Sequence, residues 1–181
     1  MNDPERFSDK LGWYKLYYRD ELMRNCTDKA LVRDYVKSCG LGHLLNELYG
    51  FFDNVENIDW NKLPKQFVLK STLGGSSNGI LLVFDKDTLD KNKTRSELRS
   101  WIKKDSYRTT NAAEWVYEER KARIIVEKLL IPVSRTDYKR ITEQPEKPKN
   151  CEQMIRTAEI LSASFPHVRV DLYNIDGNIV F

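Results

Sequence analysis

The stretch QFVLKSTLGGSSNGILLVF, residues 66–84, decides how this chain folds. Both of its ends are rich in branched and aromatic side chains, a composition typical of strands. Between them, residues 72–79 include three glycines and two serines, which is typical of a flexible connection. The stretch therefore predicts a hairpin of two strands, Gln66–Lys70 and Ile80–Phe84, around a glycine-rich loop.

Helical patterns lie on either side of this hairpin. Apolar residues recur at near-helical intervals over residues 5–24, and a second helix is predicted from about Asp28 to Cys39, with Gly40 at its stop position. After the hairpin, Thr94–Glu97 has the spacing of a capping box, which predicts a helix that continues to Lys104.

Further strands follow towards the end of the chain. Arg123–Glu127 is a run of branched residues and predicts a strand, and residues 151–164 predict an amphipathic helix. Val168–Leu172 and Asn178–Phe181 predict two strands, and the Asp176–Gly177 pair between them favours a tight hairpin turn. The fold class predicted from these patterns is α+β with mostly antiparallel strands.

The composition limits the class of partner. Thirty Lys and Arg oppose 27 Asp and Glu, and the net charge of +3 is too mild to require nucleic acid, whereas an anionic small molecule would suffice. No apolar run reaches membrane-spanning length and no secretory signal begins the chain, so we expect no transmembrane segment and a cytoplasmic location. The three cysteines, an odd number without paired metal-ligand spacing, suit a reducing compartment.

The loop after Lys70 is the most informative local feature for chemistry. Glycine and serine let backbone N–H groups approach a polyphosphate, and a nearby lysine neutralises its charge. The loop matches neither a Walker motif nor a dinucleotide-binding fingerprint. An ordinary hairpin tip therefore stays open as the alternative.

Several acidic positions have two interpretations each. Asp85 and Asp87 could hold a divalent ion bound to a nucleotide sugar, but aspartates also begin ordinary turns, and the turn is favoured. Strand alternation puts Arg169 and Asp171 on one face, where they contact either one ligand or only each other. Glu127, at the end of a strand, is either a satisfied edge residue or a polar contact at a site.

Four motifs become specific when they are taken in order. They are Thr27-Asp28-Lys29 with Arg33, Phe67-Val68-Leu69-Lys70 with its glycine loop, RIIVEKLL at 123–130, and FPHVRVDLY at 165–173 followed by Asp176-Gly177. The series resembles the TupA-like ATP-grasp family over nearly all of the chain. Residues 165–173 are the most specific part of the resemblance.

The resemblance implies that ATP lies between two small α+β lobes. Arg33 and Lys70 then match the basic residues that reach the ATP phosphates, and Glu127 with the backbone of Lys128 and Leu130 matches the segment that reads adenine. The loop residues expected to close over the phosphates are Gly74, Gly75, Ser76, Ser77 and Asn78.

The resemblance also implies which residues hold the metal and act at the reacting carboxyl. Asp171 matches a magnesium ligand, and Arg169 a group that faces the reacting carboxyl, so Arg169 and Lys70 are the expected catalytic residues. The implied activity is a Mg-ATP-dependent carboxylate–amine ligase of cell-envelope polysaccharide or teichuronopeptide biosynthesis, in which a carboxylated substrate becomes an acyl phosphate and an amine attacks it. Because this brings anionic oxygens together, Mg²⁺ and flanking cations must offset their repulsion.

The resemblance divides the chain into four parts. Residues 1–64 precede the ATP-grasp fold, 65–132 form a lobe with the glycine-rich loop, 133–150 form a linker or deletion junction, and 151–181 belong to the C-terminal lobe. The family continues with further strands after Lys139 and with a metal-sharing glutamate after the last residue, so we expect an incomplete fold and little ligation by this shortened chain. A glycosyltransferase that uses a nucleotide sugar, with Asp85 and Asp87, and a non-catalytic nucleotide-binding remnant are the alternatives.

Overall fold

The computed structural model describes residues 5–73, 79–103, 112–118, 120–130 and 146–181. Gly74 to Asn78 of the predicted loop and residues 133–145 of the predicted junction lie outside these ranges. The helices within them are α1 Phe7–Tyr17, α2 Glu21–Thr27, α3 Val32–Ser38, α4 Lys91–Lys103 and α5 Cys151–Ser162. The strands are β1 Leu48–Phe52, β2 Phe67–Ser71, β3 Ile80–Val83, β4 Ile124–Glu127, β5 Tyr173–Ile175 and β6 Asn178–Val180.

The main sheet has four antiparallel strands in the order β1-β4-β2-β3. The predicted hairpin is its β2–β3 pair, in which Phe67 lies opposite Val83 and Lys70 opposite Ile80. A separate two-stranded sheet pairs β5 with β6. Helices around antiparallel sheets confirm the predicted α+β class.

One face of the main sheet forms the hydrophobic core. Because side chains alternate along a strand, Phe67 and Leu69 of β2 share a face with Ile124 and Val126 of β4. All four are fully buried, and they pack with a cluster in which α4 contributes Leu98. The remaining buried members are Val55, Ile58, Trp60, Leu63 and Val83. The opposite face is left to carry Lys70 and Glu127.

The first predicted helix, over 5–24, is wrong in extent. It breaks at Tyr18, where the backbone becomes extended, and α2 starts anew because the Asp20 carboxylate accepts a hydrogen bond from the Leu22 N–H at 2.9 Å. The second predicted helix begins later than expected, at Val32. Its stop is confirmed, because Gly40 follows with a φ of 75°.

Two other predicted boundaries are also wrong. Helix α4 begins at Lys91, before the predicted capping box, because the Asp90 carboxylate accepts the Asn92 and Lys93 N–H groups at 3.0 Å. Residues 168–172 form no strand, since no neighbouring strand pairs with them in the described part of the chain. The turn is confirmed: Asp176 and Gly177 have φ values of 50° and 86°, as a tight hairpin requires.

The C-terminal elements attach to the helical side of the chain. The Tyr35 hydroxyl of α3 donates to the Leu161 carbonyl of α5 at 2.9 Å, and the Phe181 N–H donates to the Leu44 carbonyl at 2.8 Å. These bonds hold α5 and the β5–β6 hairpin beside α3. Among the described helices, none combines the length and the apolar character that crossing a membrane would need.

Candidate functional site

Lys70 and Glu127 meet on the face of the main sheet that does not form the core. Val68 lies opposite Glu127 and Lys70 opposite Ile125, so Lys70 and Glu127 are diagonal neighbours on adjacent strands. The Lys70 Nζ lies 2.8 Å from the Glu127 Oε2. Strand pairing therefore creates this ion pair from positions 57 residues apart.

Arg33 of α3 contacts the other oxygen of the same carboxylate. Its Nη1 donates to the Glu127 Oε1 at 2.8 Å, and its Nη2 donates to the Asn46 carbonyl at 2.7 Å. The side chains of Arg33 and Glu127 are 11% and 8% exposed, whereas Lys70 is 27% exposed. Lys70 is thus the member of this buried triad that has access to water.

Lys29 is a third cation at this place, and sequence reasoning gave it no role of its own. Its backbone N–H donates to the Thr72 carbonyl at 2.9 Å, which places it where the chain enters the glycine-rich loop. Burial lowers the pKa of Lys29, the nearby Lys70 lowers it further, and Asp28 and Glu127 act in the opposite direction. Its position in the Thr27-Asp28-Lys29 motif was the available sequence signal.

Three cations cluster around Glu127. Lys29, Arg33 and Lys70 face two carboxylates, and that of Asp28 is already used to accept hydrogen bonds from two N–H groups at the start of the next turn, at 2.8 and 3.2 Å. An anion that binds here would meet an electrostatically favourable, poorly hydrated place.

Apolar side chains lie beside the cations on the same face. Ile80 of β3 lies opposite Lys70, and Phe51 of β1 lies opposite Ile125. Both Ile80 and Phe51 are exposed. A face that combines cations with exposed apolar surface suits a ligand with a charged end and a flat, weakly polar end, as in a nucleotide.

The segment predicted to read adenine is anchored through its backbone. The Lys128 N–H donates to the Glu47 carbonyl, and the Lys128 carbonyl accepts from the Asn46 Nδ2, both at 2.9 Å. The Glu127 carboxylate faces Arg33 and Lys70. Leu130 ends the described stretch of this segment. Asn46 is a polar member of the site that no sequence pattern indicated.

Arg169 and Asp171 form an ion pair of their own. Both are exposed, and they pair with each other, the Arg169 Nη2 lying 2.7 Å from the Asp171 Oδ2. In the described ranges neither is hydrogen-bonded or ion-paired with Lys70 or Glu127. The same ranges contain no group of three or more His, Cys, Asp or Glu side chains that could hold a metal ion. The described residues therefore form no all-protein magnesium cage, and a magnesium ion held by Asp171 would depend on ATP phosphates and water for its other ligands.

Asp85 and Asp87 form a turn. The Asp85 carboxylate accepts the Asp87 N–H at 3.0 Å and pairs with Lys65 at 3.4 Å. This backbone hydrogen bond lowers the pKa of Asp85, and Lys65 adds to the effect. The carboxylate is thus engaged in ending β3 and capping the short helical turn Lys86–Thr88.

An antiparallel sheet that presents cations beside a glycine-rich loop fits the ATP-grasp class of nucleotide-binding proteins. The chain matches the model of one such family, described as TupA-like ATP-grasp, over residues 9–142 and 133–181. It belongs to the TupA-like ATP-grasp family. The two matched segments overlap within the predicted junction. No curated protein and no solved structure matches the chain significantly.

Proposed function

We propose that this protein binds ATP at the Lys29, Arg33 and Lys70 cluster and acts as a Mg-ATP-dependent carboxylate–amine ligase. ATP-grasp proteins generally use ATP and Mg²⁺, so a nucleotide role follows from the family. The observation that supports the phosphate position is the Glu127 carboxylate, whose two oxygens each meet one cation at 2.8 Å. A phosphate also offers two adjacent anionic oxygens and would meet the same donors.

Lys70 is the residue best placed to change partner. Its side chain is partly exposed and flexible, whereas the Arg33 guanidinium is also held by the Asn46 carbonyl. Lys70 would turn from Glu127 to a phosphate oxygen, and Arg33 would follow only if its bond to Glu127 opened. Lys29, whose backbone N–H is bonded to the Thr72 carbonyl, adds positive charge where the chain enters the loop of Gly74 to Asn78, which the family resemblance assigns to the phosphates.

The chemistry proposed for the chain's own residues is electrostatic. Transfer of a phosphoryl group to a carboxylate brings anionic oxygens together, and fixed cations in a water-poor site offset that repulsion without reorganising. Lys29 and Lys70 are described residues that would do so, Lys70 once it has turned from Glu127 to the phosphate. Arg169 and Asp171 retain their proposed roles at the carboxyl and at the metal, and each would first have to leave the other.

The substrate class follows from family resemblance alone. We propose a carboxylated, envelope-related substrate and an amine acceptor, in cytoplasmic polysaccharide or teichuronopeptide biosynthesis. A nucleotide-binding module without catalysis is the second candidate, because the described residues assemble no metal-binding group. Both candidates predict ATP binding, and only the ligase predicts ADP release that depends on carboxylate and amine together.

Titration calorimetry with Mg-ATP and a Mg-UDP-sugar tests the proposal. ATP should bind selectively, and Lys70→Ala should weaken its affinity by about 10- to 100-fold, corresponding to the loss of one charge-assisted hydrogen bond. Lys65→Ala is the matched control, since Lys65 is exposed and pairs with Asp85 on the same hairpin. If the wild type, Lys70→Ala and Lys65→Ala are all folded and bind ATP with equal affinity, the proposed phosphate site is wrong.

A further inference from the structure

A buried hydrogen-bond acceptor next to the proposed adenine-reading segment has no donor among the described residues. Asn46 is 8% exposed, and its Oδ1 is buried without a hydrogen-bond partner in the part of the chain that the structure describes. The other half of the same amide is satisfied, because Nδ2 donates to the Lys128 carbonyl at 2.9 Å. A carbonyl only accepts, so this contact fixes which amide atom is nitrogen and leaves the oxygen as the unpaired atom.

The position of Asn46 is fixed by bonds on both sides. Its backbone carbonyl accepts the Arg33 Nη2 at 2.7 Å, and the next carbonyl, of Glu47, accepts the Lys128 N–H at 2.9 Å. The Asn46 amide is therefore held against the backbone that follows Glu127. Buried polar atoms in folded proteins almost always have a partner, so an unpaired acceptor in a fixed position calls for a donor that binds.

We propose that Asn46 is a specificity-determining residue that selects a purine base carrying an exocyclic amine, as adenine does. The inference rests on the proposed ATP site. The amine of adenine has two N–H groups; one reaches the remaining lone pair of the Lys128 carbonyl and the other reaches the Asn46 Oδ1. The Oδ1 is closed to water in the free protein, so neighbouring side chains must move before the base reaches it.

The same two acceptors disfavour a base with an oxygen in place of the amine. Hypoxanthine and guanine present a carbonyl at that edge, so acceptor would face acceptor and the buried Asn46 Oδ1 would stay unpaired. A site built to hydrogen-bond one ligand group rejects the analogue that lacks it far more strongly than an apolar pocket rejects a missing methylene. Asn46 would thus contribute selectivity without touching the phosphates.

Binding of four probes to the wild-type protein tests this without relying on a variant. The probes are ATP, inosine triphosphate, purine riboside triphosphate, which lacks the amine, and inorganic tripolyphosphate. We expect ATP to bind at least about 10-fold more tightly than either purine analogue, as for a lost hydrogen bond at a polar site. Equal affinity for the three nucleotides would overturn the role of Asn46. Failure of both ATP and tripolyphosphate to bind would overturn the proposed site and this role with it.

A variant then assigns the selectivity to one side chain. In Asn46→Ala the ratio of ATP affinity to purine riboside triphosphate affinity should fall by about 3- to 10-fold, because only the Lys128 carbonyl is left to accept from the amine, with tripolyphosphate affinity unchanged. Asn54→Ala is the matched control, because Asn54 is an exposed asparagine whose side chain caps the short turn Val55–Asn57. A folded Asn46→Ala protein that keeps the wild-type ratio would overturn the proposal, as would an equal loss of ratio in the control.

Discussion

Replacing Glu127 by Gln should destabilise the fold strongly, because one buried carboxylate holds two cations. The amide keeps one acceptor oxygen but turns N–H groups towards the other cation, and it leaves Arg33 and Lys70 without a counter-charge. Breaking a buried ion pair by removing one partner costs about 3–5 kcal/mol. We expect about 3 kcal/mol, the lower end of that range, because Lys70 is partly exposed and can turn to water.

Urea unfolding measures this loss directly, and the chain supplies a matched control. Glu56 also pairs with two arginines, Arg95 and Arg99, but its side chain is 49% exposed. Glu56→Gln should therefore cost less than about 1 kcal/mol. In a protein of this size, a loss of about 3 kcal/mol corresponds to a fall in the midpoint of thermal unfolding of about 10 °C.

Anions should partly rescue the first variant. Tripolyphosphate should raise the unfolding midpoint of Glu127→Gln more than that of the wild type, since it binds the two uncompensated cations without competing with a carboxylate. The reasoning is refuted if Glu127→Gln loses no more unfolding free energy than Glu56→Gln. It is also refuted if tripolyphosphate stabilises the wild type more than the variant.

Three further outcomes are expected from other parts of the structure. Lys29→Met should weaken tripolyphosphate binding by about 10-fold or more in calorimetry, since it removes a cation from a poorly hydrated place; unchanged affinity would exclude Lys29 from the site. Gly79→Ala should lower the urea midpoint, because Gly79 has a φ of 82° and a Cβ there would lie 2.9 Å from the Ser71 Cβ; an unaltered midpoint would contradict this. Burial raises the pKa of the Cys26 thiol from 9.0 to about 11, so the unfolded thiol ionises first and stability should fall as the pH rises from 9.0 to about 11. Cys26→Ala should flatten that part of the pH profile, and an identical profile would show that another group causes it.

The elements decided by local patterns could be predicted from the sequence. The alternation around Lys70 located β2, the branched run before Glu127 located β4, and Asp176–Gly177 located the β5–β6 turn. The wrong predictions concern the boundaries of helices and strands, which particular hydrogen bonds determine. The Asp20 carboxylate restarts the first helical region, and residues 168–172 lack the pairing that would make their extended pattern a strand.

The candidate site could be predicted in part. Arg33, Lys70 and Glu127 were each singled out, but a sequence does not show that one carboxylate bridges two cations from positions 94 and 57 residues away. No sequence pattern indicated Asn46, because its proposed role depends on its Oδ1 atom, which has no partner among the described residues. Pairings between distant segments are decided by strand register, and a one-residue slip would turn Lys70 to the other face.

The strand order β1-β4-β2-β3 has a consequence for how the protein is made. Strand β4 lies between two strands that precede it in the chain, so β1 and the β2–β3 hairpin leave the ribosome with the edges that β4 will later cover still unpaired. Such long-range strand pairing is slow, and folding intermediates remain prone to aggregation until it is complete. Because β4 also brings Glu127, closing the sheet and neutralising the two cations are a single late step. We therefore expect newly synthesised chains to aggregate less once residue 127 has emerged.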